Sequence, residues 1–246
     1  MKQAARTALL ACMAALGSCT KAPPSPSTPI LWAWERPEDL RFAPNTEVAV
    51  HAAFIEIIGD RFGARGRRHP LLSAHPPSTA VIHIQIDHRE PLAWSPELRA
   101  RVSGAALSYA LAAKTPRVQI DFEVRQSERQ ILLDVLGDVR RGLPKGVVLS
   151  MTAIASWCVT EDWLKDAPVD EIVPMLFRMG ESGKTIEKSL AKGRDFSNPR
   201  CRTALAISTD SPILRAPPGR RVYLFNPRSW TLAEFDKMRR QMEGWR

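Results

Sequence analysis

Eight short apolar runs follow one another along the chain from residue 30 onward, and each has the length and composition of a β-strand. They cover residues 30–35, 47–57, 80–87, 117–123, 147–155, 171–178, 204–209 and 221–226. In the run 117–123, Val118, Ile120 and Phe122 alternate with polar residues, which is the pattern of a strand with one apolar face. The sequence therefore predicts a protein built around one large β-sheet.

Helical patterns separate several of these predicted strands. Ser95 and Pro96 have the residue types of an N-cap and of a first helical position, and an apolar helical stripe begins at Leu98. Capping boxes predict two further helix starts, Ser127 with Gln130 and Thr231 with Glu234. A shorter helix is predicted around residues 184–192. Strands and helices thus alternate over much of the chain.

Alternation of strands with helices predicts a parallel sheet. Eight strands, in a chain near the roughly 250 residues typical of the architecture, favour a lean α/β (β/α)8 TIM-like barrel. An open doubly wound sheet is the alternative. Residues 59–79 contain Gly, Pro and Arg but no helical period, so we expect a β-excursion or a long loop in place of the second helix. Residues 30–246 would form this single barrel domain.

The first 18 residues have the features of a secretory signal. Lys2 and Arg6 precede a short apolar stretch over residues 7–16, which is too short to cross a membrane. The stretch ends in Leu-Gly-Ser-Cys, which resembles the bacterial lipobox. That resemblance implies that the Cys19 thiol is acylated and that residues 1–18 are removed. Cleavage after Ser18 without lipid attachment is the alternative.

Residues 19–29 are rich in Pro and Ser and have no apolar period, which predicts an extended tether. Thr20 follows the candidate lipid-bearing cysteine, where inner-membrane lipoproteins of Gram-negative bacteria commonly have Asp. By this resemblance the protein would be lipid-anchored in the cell envelope, on the periplasmic side of the outer membrane. Its predicted partner is then the membrane, reached through the N-terminal lipid.

The charge balance is basic, at +9 for the whole chain. Removal of residues 1–18 takes away Lys2 and Arg6 and no acid, which leaves +7. Part of the excess lies in the basic run 61–69. The chain lacks the interleaved stacking aromatics and the known modules of nucleic-acid binders, so no nucleic-acid partner is predicted. Anionic lipid headgroups, acidic glycans or plain solvation of this loop remain open.

Cysteine and histidine usage predicts neither a metal site nor a cofactor. After removal of the signal and acylation of Cys19, only Cys158 and Cys201 remain. An exported protein can join them in a disulfide. The expected strand layout counts against that bridge, because Cys158 follows one strand and Cys201 precedes another. We leave the bridge open. The five histidines are scattered along the sequence without metal-ligand spacing.

The strongest candidate chemistry lies at the end of the fourth predicted strand. Asp121 and Glu123 share one face there, with Cα atoms about 6.5–7 Å apart. At the carboxyl end of a barrel strand, such a pair is placed for binding or acid–base catalysis. The alternative is that Arg178 pairs with one or both acids, which would lower their pKa values and argue against an acid role.

Other predicted strand ends carry residue types that suit a sugar site, where indoles stack on pyranose rings and polar groups contact hydroxyls. These candidate substrate-binding residues are Trp34, Glu35, Asp87, Trp157, Arg178, Asp210 and Asn226. A core position for Trp34 is the alternative to a role in binding.

The chain resembles the domain of unknown function 3142 family, which includes many predicted bacterial lipoproteins. The matching segments are 34–40 (WERPEDL), 118–123 (VQIDFE), 150–153 (SMTA), 155–158 (ASWC) and 173–180 (VPMLFRMG). This resemblance implies no established activity.

Residues 120–123 (IDFE) also resemble the fourth-strand motif of chitinase-type glycoside hydrolases, and Met175 falls where those barrels often have Met. The resemblance implies that Glu123 is the general acid and that Asp121 orients a substrate N-acetyl group. Gln119 stands in place of the motif's earlier Asp. The chain is therefore predicted to be a glycoside-hydrolase-like envelope lipoprotein. A non-catalytic glycan- or partner-binding lipoprotein is the alternative.

Overall fold

The computed structural model describes residues 28–213 and 215–245, with the backbone alone at Thr160. The predicted signal, Cys19 and most of the predicted tether lie outside these residues. The strands are β1 (Thr28–Ala33), β2 (Glu38–Asp39), β3 (Glu47–Ile58), β4 (Arg61–Gly66), β5 (Leu71–Leu72), β6 (Thr79–Asp87), β7 (Arg117–Phe122), β8 (Val148–Ile154), β9 (Glu171–Met175), β10 (Ala204–Ser208) and β11 (Arg221–Phe225). The helices are α1 (Pro96–Ala113), α2 (Arg129–Gly142), α3 (Trp157–Thr160), α4 (Gly183–Ala191) and α5 (Leu232–Glu243).

Eight parallel strands close into a barrel. Their order around the barrel is β1, β11, β10, β9, β8, β7, β6, β3, and β3 pairs with β1 to complete the circle. Each of these pairings is parallel. The predicted closed parallel barrel is thus confirmed, and the open sheet is excluded.

Side-chain alternation along the strands divides the core into two layers. Residues that point outward pack with the helices in one large cluster, which includes Leu31, Ile82 and Ile120. Residues that point inward form a small cluster inside the barrel, which includes Trp32 and Tyr223. The barrel interior is therefore filled by side chains, as in other eight-stranded barrels.

The amino-terminal end of the barrel is closed by a buried polar cluster. The Glu171 carboxylate lies at its centre, with Oε1 accepting from Arg221 at 2.7 Å. Its Oε2 accepts from Ser150 at 2.9 Å and from Tyr223 at 2.8 Å. Arg117 lies 3.6 Å away. Burial and the Glu171 charge raise the pKa of Tyr223, so its hydroxyl stays a donor. Any site inside the barrel must therefore open at the other end.

A β-hairpin replaces the second helix. The first half of β3 pairs with β1, and its second half pairs antiparallel with β4. A register shift between His51 and Ala53 separates the two halves. This hairpin, with the short β5, is the β-excursion that the residues between 59 and 79 predict.

Cys158 and Cys201 form a disulfide bond. The expectation that the strand layout keeps the two cysteines apart is wrong. Cys158 lies in α3, after β8, and Cys201 lies in a short 3₁₀ turn before β10, so neither is fixed at a strand end. Residues 197–201 run along the outer layer beside α3, where the Asn198 N–H donates to the Cys158 carbonyl at 3.1 Å. Both cysteines are fully buried in the outer core.

Two of the three predicted helix caps form. Ser95 Oγ accepts from the Leu98 N–H at 3.2 Å, and Thr231 Oγ1 accepts from the Glu234 N–H at 3.3 Å. The box expected at Ser127 does not form, because residues 126–128 make a 3₁₀ turn before α2. Among the described residues, no helix has the length and apolar character needed to cross a bilayer.

Candidate functional site

A cavity of about 440 Å³ opens at the carboxyl ends of the barrel strands. Its wall consists of Trp32, Trp34, His83, Ile84, Gln85, Ile86, His88, Asp121, Glu123, Met175, Phe177, Arg178 and Phe225. Both predicted catalytic acids are in this set, together with the predicted binding residues Trp34 and Arg178. Aromatic and apolar side chains supply about half of the wall, and polar side chains, including Asp121, Glu123 and Arg178, supply the rest.

Asp121 is held at the centre of the cavity wall by two neighbouring strands. His83 lies directly opposite it on β6, and Nδ1 of His83 is 2.7 Å from Asp121 Oδ2. On the other side, Thr152 Oγ1 on β8 donates to Asp121 Oδ1 at 2.8 Å. Both carboxylate oxygens are therefore engaged, and the side chain is almost fully buried.

The pair formed by His83 and Asp121 favours its charged state. Burial disfavours the Asp121 carboxylate, but the positive charge and hydrogen bond of His83 outweigh it and hold the pKa of Asp121 below its ordinary value. Burial likewise disfavours the protonated imidazole, but Asp121 reverses that effect and raises the pKa of His83. The result is an anionic Asp121 with a fixed orientation.

Glu123 stands two residues further along, at the exposed rim of the cavity. The surrounding protein desolvates its carboxyl group and the Asp121 charge repels it, so the pKa of Glu123 is raised. His83 and Arg178 act in the opposite direction without reversing the shift. The two acids on one strand face thus have pKa values displaced in opposite directions, which is the pattern of paired acid and base groups.

Arg178 does not clamp the acids. Within the described residues it makes no ion pair with Asp121 or Glu123, although it lines the same cavity and is exposed. Its backbone has a φ of 52°, in the left-handed region that a non-glycine residue rarely occupies. Lys114 has a similar φ of 53°, but there it caps the end of α1. The conformation of Arg178 has no such capping role.

Flat side chains form a continuous wall along the mouth. Phe177 and Phe225 stack with centroids 5.3 Å apart, and Phe225 lies 5.9 Å from Trp34 in an edge arrangement. Trp34 in turn lies 5.2 Å from the His83 ring. Deeper in the wall, the buried Nε1 of Trp32 has no hydrogen-bond partner among the described residues. Such a wall suits a ligand with apolar ring faces.

Glu35 lies behind this wall. Its Oε1 accepts from the Arg68 and His69 N–H groups at 2.8 and 3.2 Å, and His51 Nδ1 is 3.5 Å from Oε2. Burial opposes ionisation of Glu35, yet these N–H donors and Arg67 lower its pKa. Burial and the neighbouring His83 lower the pKa of His51 to about 4. Glu35 and His51 thus support Trp34, whose ring lies 5.0 Å from His51.

The expectation that Trp157 lines the site needs correction. Trp157 is 4 % exposed and lies in the outer core layer, where its ring packs against Trp163 at 4.9 Å. The chain turns into α3 directly after β8, which carries this indole outside the barrel. Trp157 therefore cannot stack on a ligand in the cavity.

The three remaining candidates lie at strand ends but do not line the cavity. Asp87 is held by Arg89 Nε at 2.8 Å, and Asp210 accepts from Ser208 Oγ. Asn226 is buried and connects Thr209 to Glu234 at the start of α5, with distances of 2.6 and 3.0 Å. These contacts shape the loops around the mouth.

Sequence reasoning missed His83, Thr152, Phe177 and Phe225. A signal for His83 was present, because Val81 and His83 alternate with the outward-pointing Ile82 and Ile84. Period-two phasing could have placed His83 inside the barrel. The exact row that it shares with Asp121 depends on the register between β6 and β7, which periodicity does not give.

Comparisons of the chain with protein-family profiles, with curated proteins and with solved structures find no match. In the part of the chain that the structure describes, no group of three or more His, Cys, Asp or Glu side chains could hold a metal ion. Function must therefore be argued from the cavity itself.

Proposed function

We propose that this protein is a glycoside-hydrolase-like enzyme that acts on polysaccharide. One observation carries the proposal: Asp121 and Glu123 share one strand face at an aromatic-walled cavity, and their pKa values are shifted in opposite directions. A protonated carboxyl beside a fixed carboxylate is the arrangement that cleavage of a glycosidic bond requires.

Each acid has a distinct role in the proposed reaction. Glu123, whose raised pKa favours the protonated form, donates its proton to the glycosidic oxygen as the bond to the leaving sugar breaks. Asp121 stays anionic and stabilises the positive charge that develops on the sugar ring. A water molecule then adds to the anomeric carbon, and its proton returns to the Glu123 carboxylate. The aromatic wall, with Trp34 at its centre, stacks against the apolar faces of the sugar.

The structure of the motif differs from the chitinase-type pattern in one respect that matters here. Gln119 points toward the closed base, where its Nε2 donates to Ser150 at 3.2 Å. His83 instead supplies the charged partner of Asp121. The proposed activity therefore rests on this chain's own pair, and the role of Asp121 toward an N-acetyl group stays a prediction from the resemblance.

We further propose that the folded domain is a lean (β/α)8 barrel of the domain of unknown function 3142 family, anchored in the cell envelope through Cys19. The basic start, the apolar stretch and the Leu-Gly-Ser-Cys sequence support export. The Cys158–Cys201 disulfide also supports it, since such bonds persist mainly in oxidising compartments.

The deciding experiment compares Glu123→Gln with Glu187→Gln, which removes an equivalent exposed carboxyl on α4, away from the cavity. Release of reducing ends from peptidoglycan, chitin oligosaccharides and uronate polysaccharides is measured at equal folded concentration. We expect Glu123→Gln to lower kcat/KM by about 10²–10⁴ and Glu187→Gln to leave it unchanged. Equal turnover in Glu123→Gln and the unsubstituted protein would refute the assignment.

A non-catalytic glycan-binding protein is the second candidate. It is favoured by the Asp121 carboxylate, whose two oxygens are already bound by His83 and Thr152. This candidate predicts saturable glycan binding that survives Glu123→Gln and is lost in Trp34→Ala. Loss of binding in folded Glu123→Gln would contradict it.

A further inference from the structure

One lateral row of side chains crosses four adjacent strands and leads out of the cavity. Asp121 on β7 lies opposite His83 on β6, His83 lies opposite Phe54 on β3, and Phe54 lies opposite Arg65 on β4. Because partners in register share a face of the sheet, all four side chains are on the face that continues the barrel interior. The row spans three strand spacings, or about 14 Å.

The register shift in β3 creates this row. Before the shift, Ala49 and His51 are the inward-facing residues of β3, opposite Thr79 and Val81. After it, the inward phase moves to Phe54, which faces His83. Without the extra residue, Phe54 would point toward the helices. The same shift lets the outer half of β3 leave β1 and pair with β4.

Contacts along the row are direct. The rings of His83 and Phe54 stack with centroids 5.4 Å apart and an interplanar angle of 19°. The Arg65 guanidinium lies 4.2 Å from the centroid of the Phe54 ring. With Trp34 beside His83, an unbroken series of side-chain contacts therefore leads from the cavity onto the hairpin and ends at a positive charge.

Arg65 has no acidic partner within the described residues. Neighbouring arginines do: Arg61 is held by Glu90 at 2.7 Å, and Arg89 is held by Asp87. Glu56, on the same strand face as Phe54, lies one row further out opposite Gly63. The Arg65 guanidinium is exposed and held over Phe54, so its N–H groups remain available to an anion.

We propose that this row is a second binding subsite, which takes a sugar unit bearing a carboxylate while the neighbouring unit occupies the cavity. Phe54 holds the Arg65 guanidinium in place, and Arg65 binds the carboxylate. The ligand class is an acidic glycan of at least two to three units. The inference deepens the proposed function by naming its substrate class, but the binding step does not depend on catalysis.

Arg65 differs from an ordinary solvated arginine because its guanidinium is held against an aromatic ring. Phe54 is half-buried between His83 and Arg65, and its position follows from the register shift. A matched contact exists on the opposite face of the hairpin, where Arg101 of α1 lies 4.8 Å over Phe62. Phe62 belongs to the outer layer that packs against the helices. Arg101 therefore provides a control with the same contact in a different place.

Binding of oligogalacturonate, alginate and hyaluronan oligosaccharides is measured by calorimetry, each beside its carboxyl-reduced neutral form. The full chain carrying Glu123→Gln is used, so that turnover cannot remove the ligand. We expect at least one acidic oligosaccharide to bind about tenfold or more tightly than its neutral form. Arg65→Gln should remove that preference, and Phe54→Ala should reduce it, because the guanidinium loses the ring that holds it. Arg101→Gln should leave the preference unchanged.

Three results would overturn the subsite: no binding of any acidic oligosaccharide, equal binding of acidic and neutral forms, or equal effects of Arg65→Gln and Arg101→Gln. Arg65→Lys distinguishes charge from geometry, since it keeps the charge and should retain part of the preference. If only the proposed catalysis is wrong, the acidic oligosaccharides will still bind more tightly than their neutral forms, but the unsubstituted protein will not hydrolyse them.

Discussion

Nδ1 of His83 lies 2.7 Å from Oδ2 of Asp121 at the centre of the barrel mouth. This contact makes Asp121 a fixed anion and leaves Glu123 as the group that can carry a proton. It also joins the cavity to the hairpin, because His83 stacks on Phe54. Most of the functional predictions follow from this pair.

The first prediction concerns the pH dependence of stability. His83 has a raised pKa, so its ion pair stabilises the fold fully below the ordinary histidine value and this stabilisation is lost as pH rises through the raised pKa. Asp121 has a lowered pKa, so its contribution is present above the ordinary aspartate value and is lost as pH falls through the lowered one. The pair contributes most between about pH 4 and 6.5.

His83→Asn should therefore destabilise the protein most in that window, by roughly 3 kcal/mol, because it leaves Asp121 without its cation. Urea unfolding at pH 5, 7 and 9 measures the difference. The exposed His75 serves as the control, and His75→Asn should show no comparable pH dependence. A difference that grows toward pH 9 would contradict the assignment of charges.

The second prediction concerns the pH dependence of catalysis. Desolvation and repulsion by Asp121 raise the pKa of Glu123, so the proposed activity should fall only above the ordinary glutamate range, as this proposed general acid loses its proton. Arg178 opposes this shift. Arg178→Gln should therefore move the alkaline limb of the kcat/KM profile to higher pH.

The matched control is Arg194→Gln, since Arg194 is exposed and does not line the cavity. Its alkaline limb should coincide with that of the unsubstituted protein. A limb that moves to lower pH in Arg178→Gln would show that Glu123 is not the titrating acid.

The third prediction concerns the closed base of the barrel. Glu171→Gln leaves the adjacent Arg117 and Arg221 without their buried carboxylate and should cost about 3–5 kcal/mol. Tyr223→Phe removes one hydrogen bond to the same carboxylate and should cost only about 1–2 kcal/mol. Urea unfolding compares the two variants, and equal costs would contradict the central position of Glu171.

The fourth prediction concerns the disulfide. Cys158 and Cys201 lie 43 positions apart in the sequence, and closing a loop of that length contributes about 4 kcal/mol in the chain-entropy description. Replacing both cysteines with Ala should lower the free energy of unfolding by that amount. The unsubstituted protein in reducing buffer should show a similar loss, and a stability that does not respond to reductant would contradict the bridge.

Local patterns were sufficient to predict much of the fold and part of the site. The alternation in residues 117–123 placed Asp121 and Glu123 on one face, and both line the cavity. Trp157 shows where this reasoning fails. Its position after a strand suggested the mouth, but the path of α3 carries the indole to the outer layer, and a strand pattern contains no information about the direction of the following turn.

What the sequence determined by itself is the set of barrel strands and, except in β3, their phase and hence which residues point into the barrel, because these depend on the period of a single segment. What only the tertiary structure decided is which inward residues meet. His83 pairs with Asp121, Phe54 stacks on His83 and Cys158 reaches Cys201 because of strand register, one shift in β3 and the packing of distant segments. Those relations join residues far apart in the chain, and they are fixed by the closed barrel as a whole.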